Sequence, residues 1–148
     1  KYSRRCREYY CFRWHRFYST GLSKFSDYLG AHITMTNPGP YYTGPSVSLP
    51  AGTWYISSTL TVRNPGGSSG TLVARLQYGG STLSSTETYI RAGYQVSLTL
   101  NGIVTLAATT TLNAQAASNL SGCIIRASTY NYSSGNNASS VVAFRIGP

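Results

Sequence analysis

Eight side chains in this 148-residue chain titrate or ligate metals in the range that catalysis uses: Glu8, Asp27 and Glu87, His15 and His32, and Cys6, Cys11 and Cys123. General acid–base chemistry draws on paired carboxylates or on a histidine supported by an acid, and hydrolysis of a glycosidic bond needs two acids flanking it. Glu8 and Asp27 fall in a divergent N-terminal segment and Glu87 stands alone. No HExxH, GxSxG or glycine-rich phosphate loop occurs. The expectation is a non-enzymatic protein with no cofactor.

The three cysteines leave several outcomes open. Cys6, Cys11 and His15 form part of a zinc set but lack a fourth ligand, so no metal is expected. A local Cys6–Cys11 bridge, bridges between subunits and free thiols are the other possibilities, and Cys6 and Cys11 are the disulfide candidates. Arg5 and Arg7 flank Cys6 and favour its thiolate. Cys123 opens the apolar run Cys-Ile-Ile and is expected to be a buried free thiol.

Charge is scarce and uneven. The chain carries 12 basic against 3 acidic residues, a net charge of +9. Lys1, Arg4, Arg5, Arg7, Arg13, Arg16 and Lys24 all lie before residue 29, where nine aromatics also crowd. This composition break divides the chain into an arm, 1–29, and a domain, 30–148. Arg4, Arg5, Arg7, Tyr9, Tyr10, Phe12, Arg13, Trp14, Arg16 and Phe17 suit an anchor docked in a protein socket, where Arg, Trp and Tyr are favoured. A self-packing stalk, a nucleic-acid grip and an anionic membrane surface are the lesser alternatives. Nucleic acid is disfavoured because the domain arginines, Arg63, Arg75, Arg91, Arg126 and Arg145, are scattered. No apolar run reaches the roughly 18 residues of a membrane span, and no apolar stretch after Lys1 suggests a signal peptide.

The domain reads as all-β, an antiparallel jelly-roll sandwich of about eight strands. Thr53–Arg63 alternates with Trp54, Ile56, Leu60 and Val62 on one side, interrupted by Ser58. Leu72, Ala74 and Leu76 share one face of Thr71–Tyr78, with Val73, Arg75 and Gln77 on the other. Tyr94–Leu100 and Ile103–Leu106 flank Asn101-Gly102, the pattern of a tight hairpin. A second pair, Cys123–Tyr132 and Ser140–Ile146, is joined across Ser133–Asn137, and Thr109–Ala117 is ambiguous between helix and strand. Strand faces so poor in charge call for cover by a partner, most simply by further copies of the chain.

Ser46–Val62 (SVSLPAGTWYISSTLTV) resembles the opening of small trimeric jelly rolls at the ends of bacteriophage fibres and spikes. Ala138–Gly147 (ASSVVAFRIG) is similar to their closing strand, and Val96–Leu106 fits their central strands. The likeness covers roughly Ile33 to Gly147 and extends to the trimerising roll of tumour necrosis factor and complement. It implies a homotrimeric structural virion protein exposed on head or tail, anchored to other virion proteins by the arm. Its knob would meet the host surface or decorate the particle. The alternative is a lectin-like module outside any virion.

Ligand contact would fall to the loops. Tyr41 and Tyr42 in Pro38–Tyr42, the Gly79–Ser81 turn, and Tyr130, Asn131, Tyr132, Asn136 and Asn137 offer stacking area and adaptable hydrogen bonds toward carbohydrate or protein. Trp54 sits inside a strand pattern and reads as a core anchor. Sequons at Asn119, Asn131 and Asn137 are the chance product of a Ser-rich chain.

Overall fold

The computed structural model describes residues 23–128 and 138–148, and all regular structure in them is strand. In chain order these are β1 (Lys24–Tyr28), β2 (Ile33–Met35), β3 (Tyr42–Leu49), β4 (Gly52–Arg63), β5 (Gly70–Tyr78), β6 (Ser81–Ile90), β7 (Gln95–Leu106), β8 (Thr110–Ser118), β9 (Cys123–Ile125) and β10 (Ser140–Gly147). Pairing is antiparallel and nested: β5 with β6, β4 with β7, β3 with β8, β2 with β9, β1 with β10. Such nesting is one long antiparallel ribbon rolled on itself, which is a jelly roll. It yields a six-stranded sheet ordered β1-β10-β4-β9-β2, with β7 on the free edge of β4, and a four-stranded sheet ordered β3-β8-β5-β6.

Alternation builds the core. Trp54, Ile56, Leu60 and Val62 point inward from β4 and are fully buried. From the facing sheet, Leu72, Ala74 and Leu76 meet Leu112, Ala114 and Ala116 with equally complete burial. Ser58, the break in the β4 stripe, is buried too; its hydroxyl donates to the Ser140 carbonyl at 2.8 Å, which removes the cost of an unpaired polar group. Trp54 donates its indole N–H to the Pro50 carbonyl at 3.0 Å and stacks edge-to-face with Phe25, centroids 5.3 Å apart. Cys123 is a buried free thiol whose Sγ lies 3.7 Å from Ser118 Oγ.

Four readings change on contact with the structure. Asn101-Gly102 makes no hairpin: β7 runs straight through it, Asn101 paired with Ser57 and Gly102 with Ile56. The glycine serves close packing, since a Cβ there would meet Leu83 Cγ at 2.6 Å. Nor do β9 and β10 pair with each other; they follow one another along the same edge of β4, at Val62–Arg63 and at Thr53–Thr59. Thr110–Ser118 is strand β8, which settles the helix ambiguity, and the described residues hold ten strands, among them the three-residue β2, which is too short to show a pattern. Lys24–Tyr28, grouped by composition with the arm, is edge strand β1. Phe25 and Asp27 sit opposite the buried Ala143 and Val141, and the Asp27 carboxylate accepts the Ser46 amide at 2.9 Å. Arm residues before position 23, with Cys6 and Cys11, lie outside the described residues.

His32, in the loop between β1 and β2, holds the end of β9 by accepting the Ala127 amide at Nδ1, 2.9 Å. That bond requires an unprotonated Nδ1. Partial desolvation, then the charge of Arg126, holds the His32 pKa below its ordinary 6.5. The unfolded chain therefore takes up the proton first, so stability is full above about pH 6.5 and declines as pH falls through that value. Urea midpoints at about pH 7.5 and about pH 5.5 should show a larger acid loss for the native chain than for His32→Ala. Equal losses would mean that His32 does not contribute.

Candidate ligand-contact site

The segment Thr36–Tyr42 is folded by its last residue. The Tyr42 hydroxyl accepts the Asn37 amide at 2.8 Å and bonds Thr36 Oγ1 at 3.0 Å, while its ring packs on the core. These hydrogen bonds, that to Thr36 first, stabilise the phenolate and lower the Tyr42 pKa. Gly39, at φ 100°, donates its amide to the Ser118 carbonyl at 2.8 Å and pins the tip against the end of β8. Tyr42 thus braces the loop. Its neighbour Tyr41 is delivered to the outer face of the four-stranded sheet.

There the Arg75 guanidinium lies over the Tyr41 ring, 3.6 Å from its centroid, a cation–π stack. Arg75 Nε donates to Gln115 Oε1 at 2.9 Å and Gln115 Nε2 to Thr43 Oγ1 at 3.0 Å. Beside this line is a hollow of about 200 Å³ walled by Gly39, Tyr41, Thr71, Val73, Ala117, Ser118 and Asn119. Arg75 is not among its walls. Asn119 Oδ1 accepts the Thr71 amide at 2.8 Å, and Ser118 Oγ donates to the Thr71 carbonyl at 3.0 Å. Asn119 Nδ2 and Thr71 Oγ1 keep their hydrogen-bonding capacity free among the described residues. Register places Glu87 opposite Val73 and Tyr89 opposite Thr71, so both share this face. Tyr89 is 64% exposed.

Of the sequence candidates, then, Tyr41 reaches the hollow and Tyr42 supports it. Gly79-Gly80 forms the tight β5–β6 turn at the opposite end of β5 from Thr71. Tyr130, Asn131, Tyr132, Asn136 and Asn137 lie outside the described residues. Thr71, Glu87, Tyr89 and Asn119 were missed because they come from strands and a strand end, not loops. The outward alternation of β5 was the available signal. Among the described residues, no three His, Cys, Asp or Glu side chains group as a metal site, and no helix is long and apolar enough to cross a membrane.

The other outer face, on the six-stranded sheet, has a different character. Phe144, Tyr55 and Ile103 line up across β10, β4 and β7, next to Val142, and the exposed Ile146 falls in the β-bulge that follows. Around them stand Ser57, Thr99, Asn101 and Thr105, and Lys24 at the β1 edge is the nearest charge in that row. No protein-family model matches the chain, and no curated protein matches it either.

Replacing Tyr42 by Phe deletes both loop bonds while keeping the buried ring. The expected result is a loss of about 1 kcal/mol with faster amide exchange at Asn37 and Gly39. Unchanged exchange at both would show that the hydroxyl does not hold the loop.

Proposed function

We propose that the chain is a non-enzymatic structural protein of a bacteriophage virion, a homotrimeric head or tail fibre or spike whose jelly-roll knob is displayed on the particle. The observation that carries this reading is the outer face of the six-stranded sheet. Tyr55 and Ile103 are exposed there, 38% and 59%, on strands of 12 residues without a carboxylate between them. An exposed apolar row set in a sheet face without carboxylates suits association with further copies, and rotational symmetry would bury it without open-ended growth. Three-fold symmetry and the virion setting come from the resemblance of Ser46–Val62 and Ala138–Gly147 to trimeric phage domains. Two features of those segments have physical reasons here: the Pro50–Trp54 turn is closed by the indole hydrogen bond, and the final strand carries Val142 and Phe144 to the outer face. In this reading the arm, with Arg4 to Phe17, docks the trimer to other virion proteins, and Cys6 and Cys11 are placed to lock that junction.

The charge distribution supports a protein partner over nucleic acid. Arg75 is spent on Tyr41 and Gln115, Arg126 Nε on the Ser128 carbonyl, and Arg145 on the carbonyls of Gly147 and Ala51. No basic stripe crosses either sheet.

Light scattering on the full chain should return three times the 16.0 kDa chain mass. Ile103→Lys, with unchanged circular dichroism, should shift the population toward monomer by burying an unpaired charge in the contact. A native chain that stays monomeric at micromolar concentration would refute the proposal.

A further inference from the structure

We infer that the hollow between Tyr41 and Asn119 is a binding site for one neutral pyranose ring. The inference gives a chemistry to the host-surface contact in the reading above, but it rests only on the geometry of β3, β5, β6 and β8 and not on the trimer. Size comes first. About 200 Å³ is below the roughly 300–1,000 Å³ of sites for drug-sized ligands, and it suits a single sugar ring.

Polarity comes second. The floor, Val73 and Ala117, is apolar, and Tyr41 adds an aromatic wall. A pyranose presents an apolar C–H face to such surfaces and hydroxyls around its rim. The rim groups here match: Asn119 Nδ2 donates, its Oδ1 being fixed on the Thr71 amide. The Thr71 hydroxyl donates or accepts, and the Glu87 carboxylate, opposite Val73 on the next strand and outside the walls, is an acceptor at the margin of the site. Exposed Tyr89, opposite Thr71, extends the aromatic surface toward the next sugar of a chain.

Charge comes third and selects a neutral ligand. Glu87 and Arg75 stand on this face with opposite charges, outside the walls, so neither an anion nor a cation in the hollow gains a net advantage. An added peptide strand is excluded at this point because β5 and β8 are hydrogen-bonded to neighbours along both edges.

Saturation-transfer and amide-shift NMR on the full chain tests the site, with the methyl glycosides of glucose, galactose, mannose and N-acetylglucosamine as probes at ~20 mM and sialyllactose as the anionic arm. At least one neutral probe should bind with a dissociation constant on the order of millimolar, with shifts confined to Tyr41, Thr71, Val73, Glu87, Tyr89 and Asn119. Tyr41→Ala should weaken that binding at least about tenfold. Asn119→Asp keeps the Thr71 bond, deletes the donor and should do the same; Tyr41→Phe should bind as the native chain does. Light scattering on the same samples separates loss of the site from loss of assembly. No transfer from any neutral probe, binding of sialyllactose alone, or undiminished binding by Tyr41→Ala and Asn119→Asp would each overturn the inference.

Discussion

Strand β4 is hydrogen-bonded along both edges, and the rest of the roll is registered against it. β7 pairs with all twelve of its residues, from Gly52 to Arg63, while β10 and then β9 share its opposite edge. Because side chains alternate, this one register sends Trp54, Ile56, Leu60 and Val62 to the core and Tyr55, Ser57 and Thr59 to the outside. The start of β4 is fixed with corresponding care. Gly52 sits at φ 141°, and Arg145 reaches over it to the Ala51 and Gly147 carbonyls, so a Cβ at that position would stand 2.8 Å from Arg145 Nε. A slip of one residue would bury Tyr55 and expose Trp54, and would move the apolar row of the outer face into the core.

Much of this was legible in the sequence wherever alternation was long. β4, β5 and β7 announce their inward faces, and the Ser58 break survives because a neighbouring carbonyl satisfies it. Legibility failed where one local signal has two physical causes. Asn101-Gly102 carries the composition of a turn, yet its glycine answers to Leu83 packing from the other sheet, a long-range contact that no window of sequence contains. The β1 strand was hidden by aromatic content that matched the arm, although Phe25, itself exposed, packs edge-on against the buried Trp54. In the hollow, Tyr41 was visible as a loop aromatic. Thr71, Glu87, Tyr89 and Asn119 become neighbours only once β5, β6 and the end of β8 lie side by side.

The two sheets therefore leave outer surfaces of opposite chemistry. One is poor in charge, with the apolar row Phe144, Tyr55 and Ile103 set among Ser, Thr and Asn side chains. The other carries Arg75, Glu87, the Asn119 amide and two tyrosines around a small hollow. Burying the first between copies turns the second outward on every subunit, so assembly and display follow from the same sandwich. Repetition of a weak sugar site on one rigid particle would raise its effective affinity by avidity.

Hydroxyl-radical footprinting of the full chain, at protein concentrations above and below dissociation of the assembly, tests this division most directly. The account predicts that Tyr55 and Phe144 oxidise slowly in the assembly and faster on dilution, while Tyr41 and Tyr89 oxidise at one rate throughout. Protection of Tyr41 and Tyr89 on assembly, with Tyr55 and Phe144 left open, would contradict it.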